Sequence, residues 1–124
     1  MKRSLLAGAA LLAAALLPAG ANAEDTIKIG VVNSYSGQFA DTGAQIDNGI
    51  KLYMKQHGDK AAGKKIEIIR KDTGGPNPDV AKRLAQELVV RDKADILAGF
   101  TLTPEALGAS GVATEAKKLM VVMN

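Results

Sequence analysis

Residues 94–108 read ADILAGFTLTPEALG, and the order of residue types within them decides the fold class. Ile96-Leu97-Ala98-Gly99 is a short apolar run closed by a glycine, the pattern of a buried strand. Thr101-Leu102-Thr103-Pro104-Glu105 follows at once and reads as a helix start, with proline near its first position and an acid in its first turn. A strand that passes directly into a helix is a βα unit, the repeat from which parallel sheets are built. The passage also sets two hydroxyls, Thr101 and Thr103, where unpaired amides and the positive end of a helix dipole collect.

The same alternation extends toward the N-terminus. Thr26 to Val32 is β-branched and apolar, and reads as a strand. A polar loop is expected over Asn33–Gly43, followed by a helix from Ala44 to Gly58. Ile46, Ile50, Tyr53 and Met54 share one face of that helix, with Gln45, Asp47, Asn48, Lys51 and Lys55 opposite. Lys65–Lys71 is a second strand, and Asp72–Pro76 a turn. Asn77-Pro78-Asp79 starts a helix with Asn as cap, whose buried stripe is Ala81, Leu84, Ala85 and Leu88. Past the quoted stretch, the helix from Thr103 to about Lys117 has small inner residues at Ala106, Ala109 or Ser110, and Ala113. Leu119–Met123 is a fourth strand. The order β-α-β-α-β-α-β implies an α/β fold, a doubly wound parallel sheet with right-handed crossovers. Half of such a sheet has little reason to stop after a strand, so residues 24–124 are expected to be the N-terminal part of a longer protein.

Met1-Lys2-Arg3-Ser4 is a basic head, Leu5–Leu17 an unbroken apolar run, and Ala21-Asn22-Ala23 a small-x-small site. This is the pattern of a cleavable signal peptide over residues 1–23. The run is too short for a membrane-spanning helix, which needs about 20 apolar residues. Removing Lys2 and Arg3 leaves 14 basic and 13 acidic residues, so the formal charge falls from +3 to about +1. No basic patch remains to argue for nucleic acid. The absence of cysteine excludes thiol nucleophiles and Cys-ligated metals, and suits an exported bacterial protein held by an ordinary core.

In open parallel sheets, ligands sit beyond the carboxyl ends of the strands. Neither a Gly-x-Gly-x-x-Gly fingerprint nor a phosphate-binding P-loop is present there. His57 is the only histidine and reads as a helix C-terminal residue. The pairs Asp41 and Asp47, and Asp72 and Asp79, read as capping and turn residues. No Ser/His/Asp set, metal site or cofactor site can be assembled. What remains is Thr101-Leu102-Thr103. Thr103 is expected to cap its helix through the amide of Ala106. Together with Thr101 it can also present hydroxyls and free amides to an anionic ligand.

The ordered set of Ile27–Val32, Ser36-Gly37, Gly43, Asn48-Gly49-Ile50, Gly63–Ile68, Asp72, Asn77-Pro78 and the hydroxyls after Gly99 resembles the N-terminal lobe of type I periplasmic solute-binding proteins. The resemblance is to the branched-chain-amino-acid-binding group of ABC importers and spans residues 24–124. It implies two lobes that close over a small molecule, with no catalysis and no cofactor. It implies that Thr103 binds the polar head of the ligand, that Thr101 and Leu102 line the same wall, and that Thr42 stands at the mouth, where the family often carries an aromatic residue. It implies capture of an amino acid or related small carboxylate in the periplasm and delivery to an inner-membrane permease. The same fold also serves ligand sensing in signalling, which is the alternative use.

Export and cleavage after Ala23 are expected. Intact-mass measurement of the protein secreted to the periplasm checks this: the chain should begin at Glu24, and a retained Met1 would refute the assignment.

Overall fold

The computed structural model describes residues 25–124, so the expected signal peptide lies outside the described residues. Five strands and three helices follow one another: β1 (Thr26–Asn33), α1 (Ala40–His57), β2 (Lys60–Ala61), β3 (Lys64–Asp72), α2 (Pro78–Val90), β4 (Ile96–Gly99), α3 (Thr103–Glu115) and β5 (Leu119–Val122). They form one sheet in the order β2-β3-β1-β4-β5. All pairings are parallel except the short edge strand β2, which is antiparallel to β3.

Alternation along the strands sorts the side chains onto two faces. Val32, Ile69, Leu97 and Met120 point to the face covered by α2 and α3, where they meet Leu84, Leu88 and Val112. Ile29, Val31, Ile68 and Ala98 point the other way, toward Ile46 and Ile50 of α1. Helices therefore cover both faces, as a doubly wound sheet requires. Small residues let α3 lie close: Ala106, Ala109 and Ala113 are buried, whereas Ser110 is exposed. Gly108 faces the first residue of α2, and a Cβ there would stand 2.4 Å from the Pro78 carbonyl oxygen.

The face toward α1 is only partly covered. An apolar groove of about 530 Å³ runs between α1 and the sheet, from β3 across β1 and β4 to β5. Tyr53 on its rim is 60 % exposed and Leu119 63 %. Tyr53 was expected on a buried face; it lies on the apolar side of α1, but nothing among the described residues closes the groove over it.

Three local features depart from the sequence reading. β2 carries no apolar pattern and pairs through a two-residue turn, Ala62-Gly63, both with positive φ (51° and 76°), as a hairpin of this twist demands. α1 begins at Ala40 rather than Ala44, because a 3₁₀ turn over Gly37–Phe39 feeds straight into it. No side chain caps that start, so no capping residue marks it in the sequence. Asp47, expected on the solvent side of α1, is buried and ion-paired: Lys51 stands at 2.7 Å, and Arg70 of β3 also contacts its carboxylate. Burial alone would raise the Asp47 pKa; the bonds from Lys51 and Arg70 outweigh it and hold the carboxyl below its usual range. Asn77, by contrast, caps α2 as expected, accepting from the Val80 amide at 3.1 Å.

Gly43 packs α1 against the end of β1: a Cβ there would lie 2.1 Å from the Ser34 carbonyl oxygen. Gly49, two turns on, has nothing within 4 Å of its would-be Cβ. Gly43→Ala should therefore destabilise the full-length protein by about 3 kcal/mol, the upper end of overpacking costs. Gly49→Ala should be neutral or stabilising by up to about 1 kcal/mol. Urea denaturation of both variants checks the contrast, and equal effects would refute it.

Candidate functional site

Parallel register brings the carboxyl ends of four strands to one edge. Asn33 pairs with Asp72, Val32 with Gly99, and Gly99 with Val122. The loops leaving this edge are 34–39, 73–77 and 100–102, and residues 123–124 follow β5. The edge is polar where the core behind it is not: Asn33, Ser34, Thr73, Thr101 and Glu105 are all buried.

The exit from β4 explains much of this arrangement. Continued alternation would send Phe100 to the α1 face with Ala98. Instead Phe100 is fully buried in the α2–α3 cluster. Gly99 and Phe100 both have positive φ (98° and 64°), which breaks the alternation and swaps the face. Left-handed backbone is rare for a bulky residue and is tolerated where surrounding packing enforces it. Thr101 is turned inward as a result. Its hydroxyl accepts from the Ser34 amide at 2.9 Å and reaches Asn33 Oδ1 at 3.4 Å.

The expectation that Thr103 caps α3 is corrected. Leu102 occupies the cap position with extended backbone, and Thr103 is the first helical residue. The Leu102 carbonyl accepts from the amides of Glu105 and Ala106. The Glu105 carboxylate reaches back to accept from the Leu102 amide at 3.1 Å, the reciprocal bond of a capping box. Pro104 has no N–H, so the Thr103 amide and hydroxyl stand together at the head of the helix dipole. The exposed Thr103 hydroxyl accepts from the side-chain amide of Asn124 at 2.9 Å. Leu102 beside it is half-buried.

The four residues expected at the site thus separate by role. Thr103 and Leu102 lie on an accessible wall. Thr101 lies behind it, with its side chain engaged in the interior. Thr42 was expected in a loop; it lies in the first turn of α1, exposed, and makes no bond with the Thr101–Thr103 wall. Sequence reasoning placed Asn124 at a strand end and Glu105 in a first helical turn, but did not pair Asn124 with Thr103 or join Glu105 to this edge. An acid three positions past the cap was a local signal for Glu105; nothing local marks Asn124.

The loop after β1 is fixed by Asp72, whose carboxylate accepts from the amides of Tyr35 and Gly74, both at 2.8 Å. Burial alone would raise the Asp72 pKa, but the Ser36 hydroxyl and the amides of Gly74, Tyr35 and Ser36 hold it below the usual carboxylate range. Burial pushes the Tyr35 phenol up, against the hydrogen bond from Asn33. Among the described residues, no group of three or more His, Cys, Asp or Glu could hold a metal ion. His57 ends α1 and stacks on Tyr53, with ring centroids 4.2 Å apart.

The chain that carries this polar edge matches a known family. The family model described as periplasmic binding protein covers residues 26–123. The chain belongs to the periplasmic binding protein family. It is 39 % identical over 113 residues to a Leu/Ile/Val-binding protein homologue of Brucella abortus, a match spanning 91 % of this chain and 29 % of that protein. It is 56 % identical to an ABC-transporter solute-binding protein from Rhodopseudomonas palustris solved with 3,4-dihydroxybenzoic acid. The TM-score is 0.77, over 80 % of this chain and 27 % of that one. A solute-binding protein from another strain of that species, solved with p-hydroxybenzoic acid, is 44 % identical with a TM-score of 0.78, over 81 % and 27 % of the two chains. The fold is that of a type I periplasmic-binding-protein lobe, and this chain spans less than a third of the length of these relatives.

Thr101 tests the division between wall and support. Thr101→Val removes the acceptor of the buried Ser34 amide and should cost about 1–3 kcal/mol of stability. Urea denaturation of the full-length variant measures it, and wild-type stability would contradict the buried role.

Proposed function

We propose that the full-length protein is the periplasmic solute-binding component of an ABC importer, and that its solute is a hydroxylated aromatic carboxylate. Residues 24–124 form the first part of its first lobe, and further chain of that lobe closes the apolar groove beside α1. The observation that carries the reading is the wall at Leu102–Thr103. It offers an amide, a hydroxyl and a helix dipole to a carboxylate, on a chain whose relatives at 56 % and 44 % identity hold dihydroxy- and hydroxybenzoate. The name of the Brucella relative favours a branched-chain amino acid instead, and leucine is therefore the competing ligand. Binding and release of the solute involve no catalysis and call for no cofactor. The partner is a permease in the inner membrane.

Calorimetric titration of the full-length protein with 4-hydroxybenzoate, 3,4-dihydroxybenzoate and leucine separates these solutes. Binding of a hydroxybenzoate in preference to leucine is expected; leucine binding alone would overturn the aromatic assignment. In the same assay Thr103→Ala should weaken the hydroxybenzoate by about tenfold or more, since a hydrogen bond to a charged group contributes roughly 1.5–3 kcal/mol. Because the Thr103 hydroxyl makes no capping bond, the melting temperature of the unliganded variant should stay close to wild type. Unchanged affinity would remove Thr103 from the site.

A further inference from the structure

Glu105 is a fully buried carboxylate, and among the described residues no ion pair involves it. A buried acid without a cation persists only where donors surround it. Here the donors come from three separate loops. Thr73, after β3, donates its hydroxyl to Oε1 at 2.6 Å. Ser34, after β1, donates to the same oxygen at 3.2 Å, and the two hydroxyls lie 2.9 Å apart. Leu102, after β4, donates its amide to Oε2 at 3.1 Å. One side chain on α3 therefore ties together the loops that leave β1, β3 and β4. Its demand exceeds that of a helix cap, which needs only the Leu102 bond.

We infer that Glu105 is the positioning residue of the solute wall. It holds the Leu102 amide inward, and so sets the direction of the next peptide, the one that carries the Thr103 N–H. It also fixes the height of that wall against the loops at Ser34 and Thr73. Glu105 does not touch solute; it acts through Leu102 and Thr103. The inference rests on the reading of Leu102–Thr103 as a ligand wall. A carboxylate suits the role because it only accepts, and every group facing it can donate. A glutamine can substitute if its amide turns: Oε1 then accepts from Leu102, and Nε2 donates to the hydroxyl oxygens. An alanine leaves one half-buried amide and two buried hydroxyls without that acceptor.

The test uses the full-length protein and two readouts, hydrogen exchange of the unliganded form and calorimetric affinity for 4-hydroxybenzoate well below the melting temperature. In Glu105→Ala, exchange at the Leu102 amide should rise while the centre of α3 stays protected, and affinity should fall about tenfold or more. Glu105→Gln should restore both to within about threefold of wild type. If Glu105→Ala does not fold, Thr73→Val removes the shortest arm and should give the same changes in smaller degree. Protection and affinity that remain at wild-type values in a folded Glu105→Ala, or in Thr73→Val, would overturn the inference. So would a lowered melting temperature with unchanged affinity, which marks a role in stability alone. A wild-type protein that binds no hydroxybenzoate would instead overturn the solute assignment, while exchange at Leu102 still decides the role of Glu105.

Discussion

The structure depends on one geometric constraint: parallel strands that start at different heights must finish together. β1 and β3 are long, β4 and β5 short, yet Asn33, Asp72, Gly99 and Val122 reach the same edge. Each strand then hands its chain to a loop at that edge, and α2 and α3 start from two of those loops. Unpaired backbone groups from several elements are thereby gathered in one place. Polar side chains must answer them, because a buried amide without an acceptor costs about 1–3 kcal/mol. The Thr101 hydroxyl and the carboxylates of Asp72 and Glu105 supply those answers.

The two faces of the sheet are completed to different degrees. Against α2 and α3 the packing is dense, with Phe100, Leu88 and Leu97 fully buried. Against α1 the apolar residues are present but the cover is partial. The buried polar cluster of Asn33, Ser34, Thr73, Thr101 and Glu105 lies at the edge between these faces, and α3 contributes its one carboxylate.

What was legible in the sequence was whatever neighbours in the chain decide. The apolar run at Ile96–Gly99, the Pro104-Glu105 start and the Asn77 cap are local signals, and the strands and helices follow them. What was not legible depends on partners far along the chain. Asp47 sits among polar residues of α1 and looks solvated; Arg70, arriving on β3, makes it a buried ion. Thr101 looks like a twin of Thr103, but the left-handed backbone at Gly99 and Phe100 turns it inward. The start of α1 has no capping side chain to announce it, and β2 is too short and too exposed to carry a pattern. The Glu105 position was visible as a first-turn acid. That three loops converge on it could not be seen before the register of β1, β3 and β4 was known.

The contact between Gly108 and Pro78 has a mechanical consequence. A glycine in mid-helix lets α3 press its backbone against the carbonyl and Cβ of Pro78, the first residue of α2, with no side chain of its own between them. α2 starts just beyond the loop that carries Thr73, and α3 just beyond the loop that carries Leu102. A displacement of one helix along its axis is therefore passed to the other with little slack. The two loops are coupled from behind by backbone as well as from in front by the carboxylate. The β3 and β4 exits are thereby braced on both sides.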